Sequence, residues 1–265
     1  MRQLASIALL IVALAAPKAF RWGFQGHEYI GNVTWAYLSP EAKAWVTEHL
    51  ELEGEESLAT TTTWADRVRG TEEGRWMGPL HFANIPPEQT EMDLERDRPT
   101  RRCVVGATYN DLDVLFSTSA SAQEKAEALR TLTHWITDIH QPLHLGFARD
   151  RGGNSLRLTY RDNETNLHSF WDSVIIRGKN LPEPARMAQE YPLPSAPSDL
   201  YAAVLSWANE SNHLAREYAY AGIEQGSVVN EAYVERAKPI VRQQLVHAAQ
   251  RLAFIIEAAA AQDRS

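Results

Sequence analysis

Residues 121–144 read SAQEKAEALRTLTHWITDIHQPLH, and this stretch decides the fold class. Ser121-Ala122-Gln123-Glu124 is a capping box, so a long helix is expected to open here and run to about residue 139. Pro142 then sends the chain in a new direction. Working outward, apolar spacing places a helix over 27–38. Ser39-Pro40-Glu41 caps a second, and Ser57 to Arg69 makes a third despite its Thr run. Residues 70–112 mix Gly, Pro and charge and read as a long irregular excursion. Gly152-Gly153-Asn154 precedes the alternating run Ser155–Tyr160, one strand of a short hairpin. Asn166 to Arg177 returns to helix, and the Pro-containing stretch 178–197 reads as a linker-like crossing. Residues 198–222 and 229–262 are expected as two long helices, the second kinked at Pro239. The fold class expected is mainly α, a single-domain helical fold with a small β-hairpin.

The chain has 265 residues, with 34 acidic and 26 basic side chains and one cysteine. Cys103 alone excludes an intrachain disulfide and a zinc site built on paired thiolates. Residues 1–21 read as a signal peptide. Arg2 is the positive start, Leu4 to Ala16 is apolar apart from Ser6, and the cleavage point lies among residues 19–21. The mature domain is then 22–265, exported, with no membrane span. Loss of Arg2, Lys18 and Arg21 leaves 23 basic side chains against 34 acidic ones, a net charge of −11. Such a surface offers no basic stripe for nucleic acid, so a polyanionic substrate would require bound metal to supply positive charge.

Several short patterns carry metal-binding chemistry. His134 and Asp138 stand one helical turn apart, and His144 follows beyond Pro142. His168 and Asp172 repeat the same i, i+4 pair. Asp66 and His81 precede them, and Trp22 with His27 opens the mature chain, where a free α-amino group at Trp22 would be a further ligand. Singly, each has an ordinary explanation as a surface acid, a solvated pair or a satisfied core histidine. Together they form a thiolate-free set of imidazole and carboxylate donors, which suits hydrolytic zinc. The set is too large for one ion, and several close ions are the usual device for phosphoester displacement.

The spacing Trp22…His27…Asp66…His81…His134…Asp138…His144…His168…Asp172 resembles the trinuclear-zinc, single-strand-specific nucleases, relatives of the bacterial zinc phospholipases C. The resemblance runs from Trp22 to about residue 176. It implies three Zn2+ ions around one cleft. Asp66, His81, His134 and Asp138 would hold the first; His144, His168 and Asp172 the second; Trp22 and His27 the third, with Asp138 bridging the first and third. It implies cleavage of single-stranded RNA and DNA to 5′-phosphorylated products and removal of 3′-phosphate from nucleotides, with no membrane or protein partner. Asp66 would orient the nucleophile and Arg69 steady the charge developing on the phosphate. Phe82 would stack on a base, Asn84 would stand where relatives often carry Asp, and Gly153 and Asn154 would close the base pocket. The unpaired Cys103 resembles bacterial members and implies a periplasmic or secreted protein. The competing expectations are a zinc phospholipase C and, in another class, a non-catalytic exported zinc-binding protein.

Of the remaining histidines, His140 lies near the cluster without a matching family ligand, while His49, His213 and His247 are expected on helix surfaces. Trp35, Trp45, Trp76, Trp135, Trp171 and Trp207 are expected in the core.

Overall fold

A computed structural model describes residues 23–97, 100–176 and 181–264. The signal segment and Trp22 lie outside the described residues. The chain forms α1 (Gly23–Tyr37), α2 (Pro40–Leu52), α3 (Leu58–Thr61) and α4 (Trp64–Val68), then a 3-10 helix over Arg75–His81. Next come α5 (Leu94–Asp97), α6 (Val104–Leu115) and α7 (Ala122–Ile139), with 3-10 turns at Pro142–Leu145 and Ala148–Asp150. The hairpin β1 (Arg157–Tyr160) and β2 (Asn163–Asn166) leads into α8 (Leu167–Ser169) and a π-turn over Phe170–Val174. The chain ends with α9 (Pro184–Glu190), α10 (Leu200–Leu214) with a π-turn over Ala215–Ala219, β3 (Ser227–Val228) and α11 (Glu231–Asp263). The protein is mainly helical with one small sheet, as expected. Among the described residues, no helix is long and apolar enough to cross a membrane.

The capping box at Ser121 and Glu124 is formed as the spacing requires. The Ser57–Arg69 helix is instead broken into α3 and α4. Thr60, Thr61, Thr62 and Thr63 turn their hydroxyls onto backbone carbonyls three or four residues back. Such bonds compete with the helical ladder. The Thr62 carbonyl accepts from His134 Nδ1 at 2.6 Å. Within the supposed excursion 70–112, α6 is a regular helix whose N-cap is Cys103, its Sγ accepting from the Gly106 N–H at 3.4 Å. A thiol is an unusual cap, and the sequence signal was accordingly weak. The crossing 178–197 contains α9, opened by Glu183 and Pro184. Pro239 lies inside α11 without interrupting it. The third strand, β3, pairs parallel with β1 through Leu158–Ser227 and Thr159–Val228; two residues are too few to show alternation.

Two apolar clusters meet along α11. One joins Trp45, Leu112, Leu129, Leu132 and Trp135 to Leu252–Ala260. The other joins Ile30, Phe170, Trp171, Tyr233 and Leu245. Burying such side chains stabilises the fold by roughly 1.5–3 kcal/mol each. Gly31 lets α1 sit tightly on α3: a Cβ there would lie 2.7 Å from the Ala59 Cα. That approach brings His27 over the end of α7.

Trp76 departs from its core assignment, being 62% exposed, whereas Trp135 and Trp171 are fully buried. His49 is buried rather than on the surface, its Nδ1 donating to the Trp45 carbonyl at 2.8 Å. One turn along α2 its ring packs on the Trp45 indole, which polarity alone does not foretell.

Candidate metal centre

Six elements bring their polar side chains to one largely buried point. α1 supplies His27, α4 supplies Asp66, and the end of the 3-10 helix supplies His81. α7 supplies His134 and Asp138, the next turn His144, and α8 with its π-turn His168 and Asp172. The donors fall into three groups whose ligand atoms all lie within 4.8 Å of one another: His27, His134 and Asp138; Asp66, His81 and His134; and His144, His168 and Asp172. Asp138 joins them. Its Oδ2 lies 2.9 Å from His81 Nδ1 and 3.1 Å from His134 Nε2, and its Oδ1 3.3 Å from His144 Nδ1 and 3.7 Å from His27 Nε2. Eight of the nine sequence positions thus converge, and the ninth, Trp22, lies outside the described residues.

The proton bookkeeping shows what the cluster fits. His134 Nδ1 donates to the Thr62 carbonyl at 2.6 Å, His144 Nδ1 to the His81 carbonyl at 2.6 Å, and His168 Nδ1 to the Gly152 carbonyl at 2.7 Å. Thr137 donates its hydroxyl proton to the His134 carbonyl at 2.7 Å, so its oxygen must accept from His27 Nδ1–H at 2.5 Å. In each ring the outer nitrogen carries the proton, and Nε2 presents a lone pair. His27 Nε2 is buried without a hydrogen-bond partner and lies 3.7 Å from Asp138 Oδ1, which lacks one too. Lone pairs facing a carboxylate away from water are tolerable only with a cation between them. His49 Nε2 is also unpartnered, yet it belongs to none of the three groups; convergence marks the centre, not one orphan atom.

The acid–base pattern agrees. Burial, reinforced by neighbouring His134, pushes the His27 imidazole down to about 4. Burial likewise brings His81 to about 4, against its hydrogen bond to Asp138. Burial opposes charge on Asp138, but the His134 and His144 imidazoles outweigh it and hold the carboxyl well below its ordinary range. Burial opposes a proton on His134 too, yet Asp138 raises its basicity on balance. The centre therefore combines imidazoles at His27 and His81 that burial keeps neutral with an ionised Asp138, and it favours positive charge beside that carboxylate. A divalent ion that accepts nitrogen and oxygen fits this donor set.

Around the centre, Asp66 is 16% exposed and lies 4.0 Å from Arg69 Nη1, with Arg69 37% exposed at the end of α4. Residues 82–85 run extended beside 144–148, with Ala83 N–H donating to the His144 carbonyl at 2.8 Å and Ile85 N–H to the Gly146 carbonyl at 2.9 Å. Ala83 and Ile85 face inward, so Phe82 and Asn84 emerge partly exposed on the other side. Asn84 Oδ1 would lie 3.0 Å from a Cβ at Gly152, which has φ +64°. Gly153 has φ +80°, and Asn154 Nδ2 donates to the Arg151 carbonyl at 2.9 Å. His140, buried at the end of α7, faces away from the donors: Nδ1 donates to the Ile136 carbonyl at 2.7 Å, and Nε2 lies 2.7 Å from Arg251 Nη1. A cavity of about 610 Å3 lined by Trp64, Trp76, Asp111 and Glu127 contains none of the donors. Sequence reasoning missed Thr62, Thr137 and Gln141, the groups that hold the donors in place; only the unusual Thr run hinted at the first.

A helical protein that buries clustered imidazoles and carboxylates with cation-seeking lone pairs is built as a hydrolytic metalloprotein. The S1/P1 nuclease family model matches residues 22–261. Endonuclease 3 of Arabidopsis thaliana is 31% identical over 272 residues, spanning 93% of this chain and 92% of its own. Nuclease P1 of Penicillium citrinum is 38% identical over 157 residues, 58% of each chain. Nuclease S1 of Aspergillus oryzae is 32% identical over 188 residues, 70% of this chain and 62% of its own. The chain belongs to the S1/P1 nuclease family: it is a nuclease, a metal-dependent hydrolase of phosphodiester bonds.

Proposed function

We propose that the protein is a zinc-dependent endonuclease that cuts single-stranded RNA and DNA to 5′-phosphorylated products and removes 3′-phosphate from nucleotides. The observation that carries this is the meeting of His27, His81, His134 and His144 at Asp138, within three groups of close donor atoms. Asp66, His81, His134 and Asp138 would hold one zinc, His144, His168 and Asp172 a second, and His27 with the Trp22 terminus and Asp138 a third. A Cβ at Gly23 would meet the Asp172 carbonyl oxygen at 3.7 Å, so α1 starts beside the turn that carries Asp172. Bound zinc would supply Lewis-acid activation of the attacking water and charge stabilisation for the phosphate.

The protein's own residues do the rest. Asp66, the least buried of these carboxylates, accepts a hydrogen bond from the attacking water and orients it toward phosphorus. Arg69 beside it neutralises charge building on the non-bridging oxygens. Phe82 offers a face for a base, and Asn84 reads its edge with an amide able both to donate and to accept. Gly153 and Asn154 border the same pocket. A base must leave its stack to reach this site, which favours unpaired strands.

Export to the periplasm or medium, with the mature chain starting at Trp22, belongs to the same proposal. Metal analysis of the purified active protein, paired with digestion of single- and double-stranded substrates, is the test. About three zinc ions per chain and preferential loss of the single strand are expected. Preferred cleavage of a phosphocholine lipid would favour a phospholipase instead, and zinc without either activity a storage protein.

A further inference from the structure

We infer that Gln141 is a positioning residue that selects which oxygen of Asp172 faces the His144–His168 donors and so sets the metal affinity of that group. The inference rests on the metal-centre reading proposed above. Gln141 is 1% exposed and lies in the turn between Asp138 and His144. Its Oε1 accepts from the Leu143 N–H at 2.5 Å, capping the Pro142–Leu145 turn that carries His144. The Leu143 N–H needs an acceptor, so the amide orientation is decided and the NH2 is left to face Asp172. Nε2 donates to Asp172 Oδ1. Oδ2 of the same carboxylate is thereby turned to His168 Nε2, 3.4 Å away. Through its main chain Gln141 also donates to the Asp138 carbonyl at 3.1 Å and accepts from the His144 N–H at 2.9 Å. One buried residue thus ties the backbone at Asp138 and His144 to the carboxylate of Asp172. Losing a group that orients a metal ligand lowers affinity about 10- to 100-fold.

Gln141→Glu keeps the acceptor for Leu143 but sets a carboxylate oxygen against Asp172, which separates the turn cap from the orienting bond. Chelator competition on the zinc-loaded full chain, with zinc counted per chain, is the measurement. Part of the bound zinc is expected to weaken about 10- to 100-fold while the rest is retained. Two buried carboxylates in contact destabilise the chelated variant as well, so the selectivity of the zinc loss is the readout. Affinities equal to wild type overturn the proposal. So does uniform weakening of all the zinc, which marks a merely structural role. Should Gln141→Glu fail to fold, Gln141→Met, neutral and of similar size, takes its place; selective weakening supports the inference and unchanged binding ends it. A wild-type protein that binds no zinc defeats the metal-centre reading itself, a result distinct from any of these.

Discussion

Thr137 and His27, 110 residues apart, share a hydrogen bond whose direction is forced. The Thr137 hydroxyl has one proton and gives it to the His134 carbonyl, so His27 Nδ1 must be the donor between them. One side chain on α7 thereby fixes the tautomer of a ligand candidate on α1. Thr137→Val keeps the shape and removes the acceptor. It is expected to weaken zinc retention about 10- to 100-fold, with Thr137→Ser restoring it. Dialysis against a graded chelator series followed by metal counting checks this.

Asp66 sits at the solvent edge of the centre beside Arg69. Asp66→Asn is expected to lower phosphodiester cleavage about 10²- to 10⁴-fold while most of the metal stays bound. Single-turnover rates with metal content measured on the same sample decide it; retained cleavage would remove Asp66 from the mechanism.

Phe82 emerges opposite the buried Ala83 and Ile85. A base stacked on it gains about 1–3 kcal/mol, so Phe82→Ala is expected to raise KM for a dinucleotide by roughly 10- to 100-fold. Hydrolysis of a phosphodiester that carries no base is expected to change little, and the ratio of the two is the readout.

Trp135 packs edge-on against both His81 and His134, at ring-centre distances of 5.1 and 5.4 Å. Its burial makes it a structural wall of the centre. Trp135→Ala is expected to cost about 3–5 kcal/mol of stability, and Trp135→Phe distinctly less. Urea unfolding with an unchanged slope would assign the loss to the folded state.

Glu210 links α10 to α11 through His247 and Arg251. Burial alone would raise its pKa, but the His247 hydrogen bond and the Arg251 guanidinium outweigh that and bring it down to about 2. A carboxyl depressed on folding stabilises the protein above its unfolded value of 4.5, and this stability is lost as pH falls from there toward about 2. Glu210→Gln is therefore expected to destabilise by on the order of 2 kcal/mol at pH 7 and by much less near pH 2. Unfolding curves for the chelated proteins across that range provide the comparison, and an equal cost at both ends would contradict the assignment.

The legible part of the sequence was local. The Ser121 box, the Ser39-Pro40 cap and the hairpin after Gly153 were all readable because their partners lie within a few residues. The i, i+4 pairs His134–Asp138 and His168–Asp172 were readable for the same reason. The break at Thr61–Thr63 and the helix behind Cys103 were obscured, since side chains replaced the usual backbone and cap chemistry there.

By itself the sequence determined which donors exist and which of them share a helical face, because helix geometry converts spacing directly into direction. Only the tertiary structure decided that His27, His81, His134 and His144 all meet Asp138, and which nitrogen each ring turns inward. Those choices rest on the carbonyls of Thr62, His81 and Gly152 and on the side chains of Thr137 and Gln141. Their partners lie across the fold, and hydrogen bonds at such separations follow from how helices pack rather than from any local pattern.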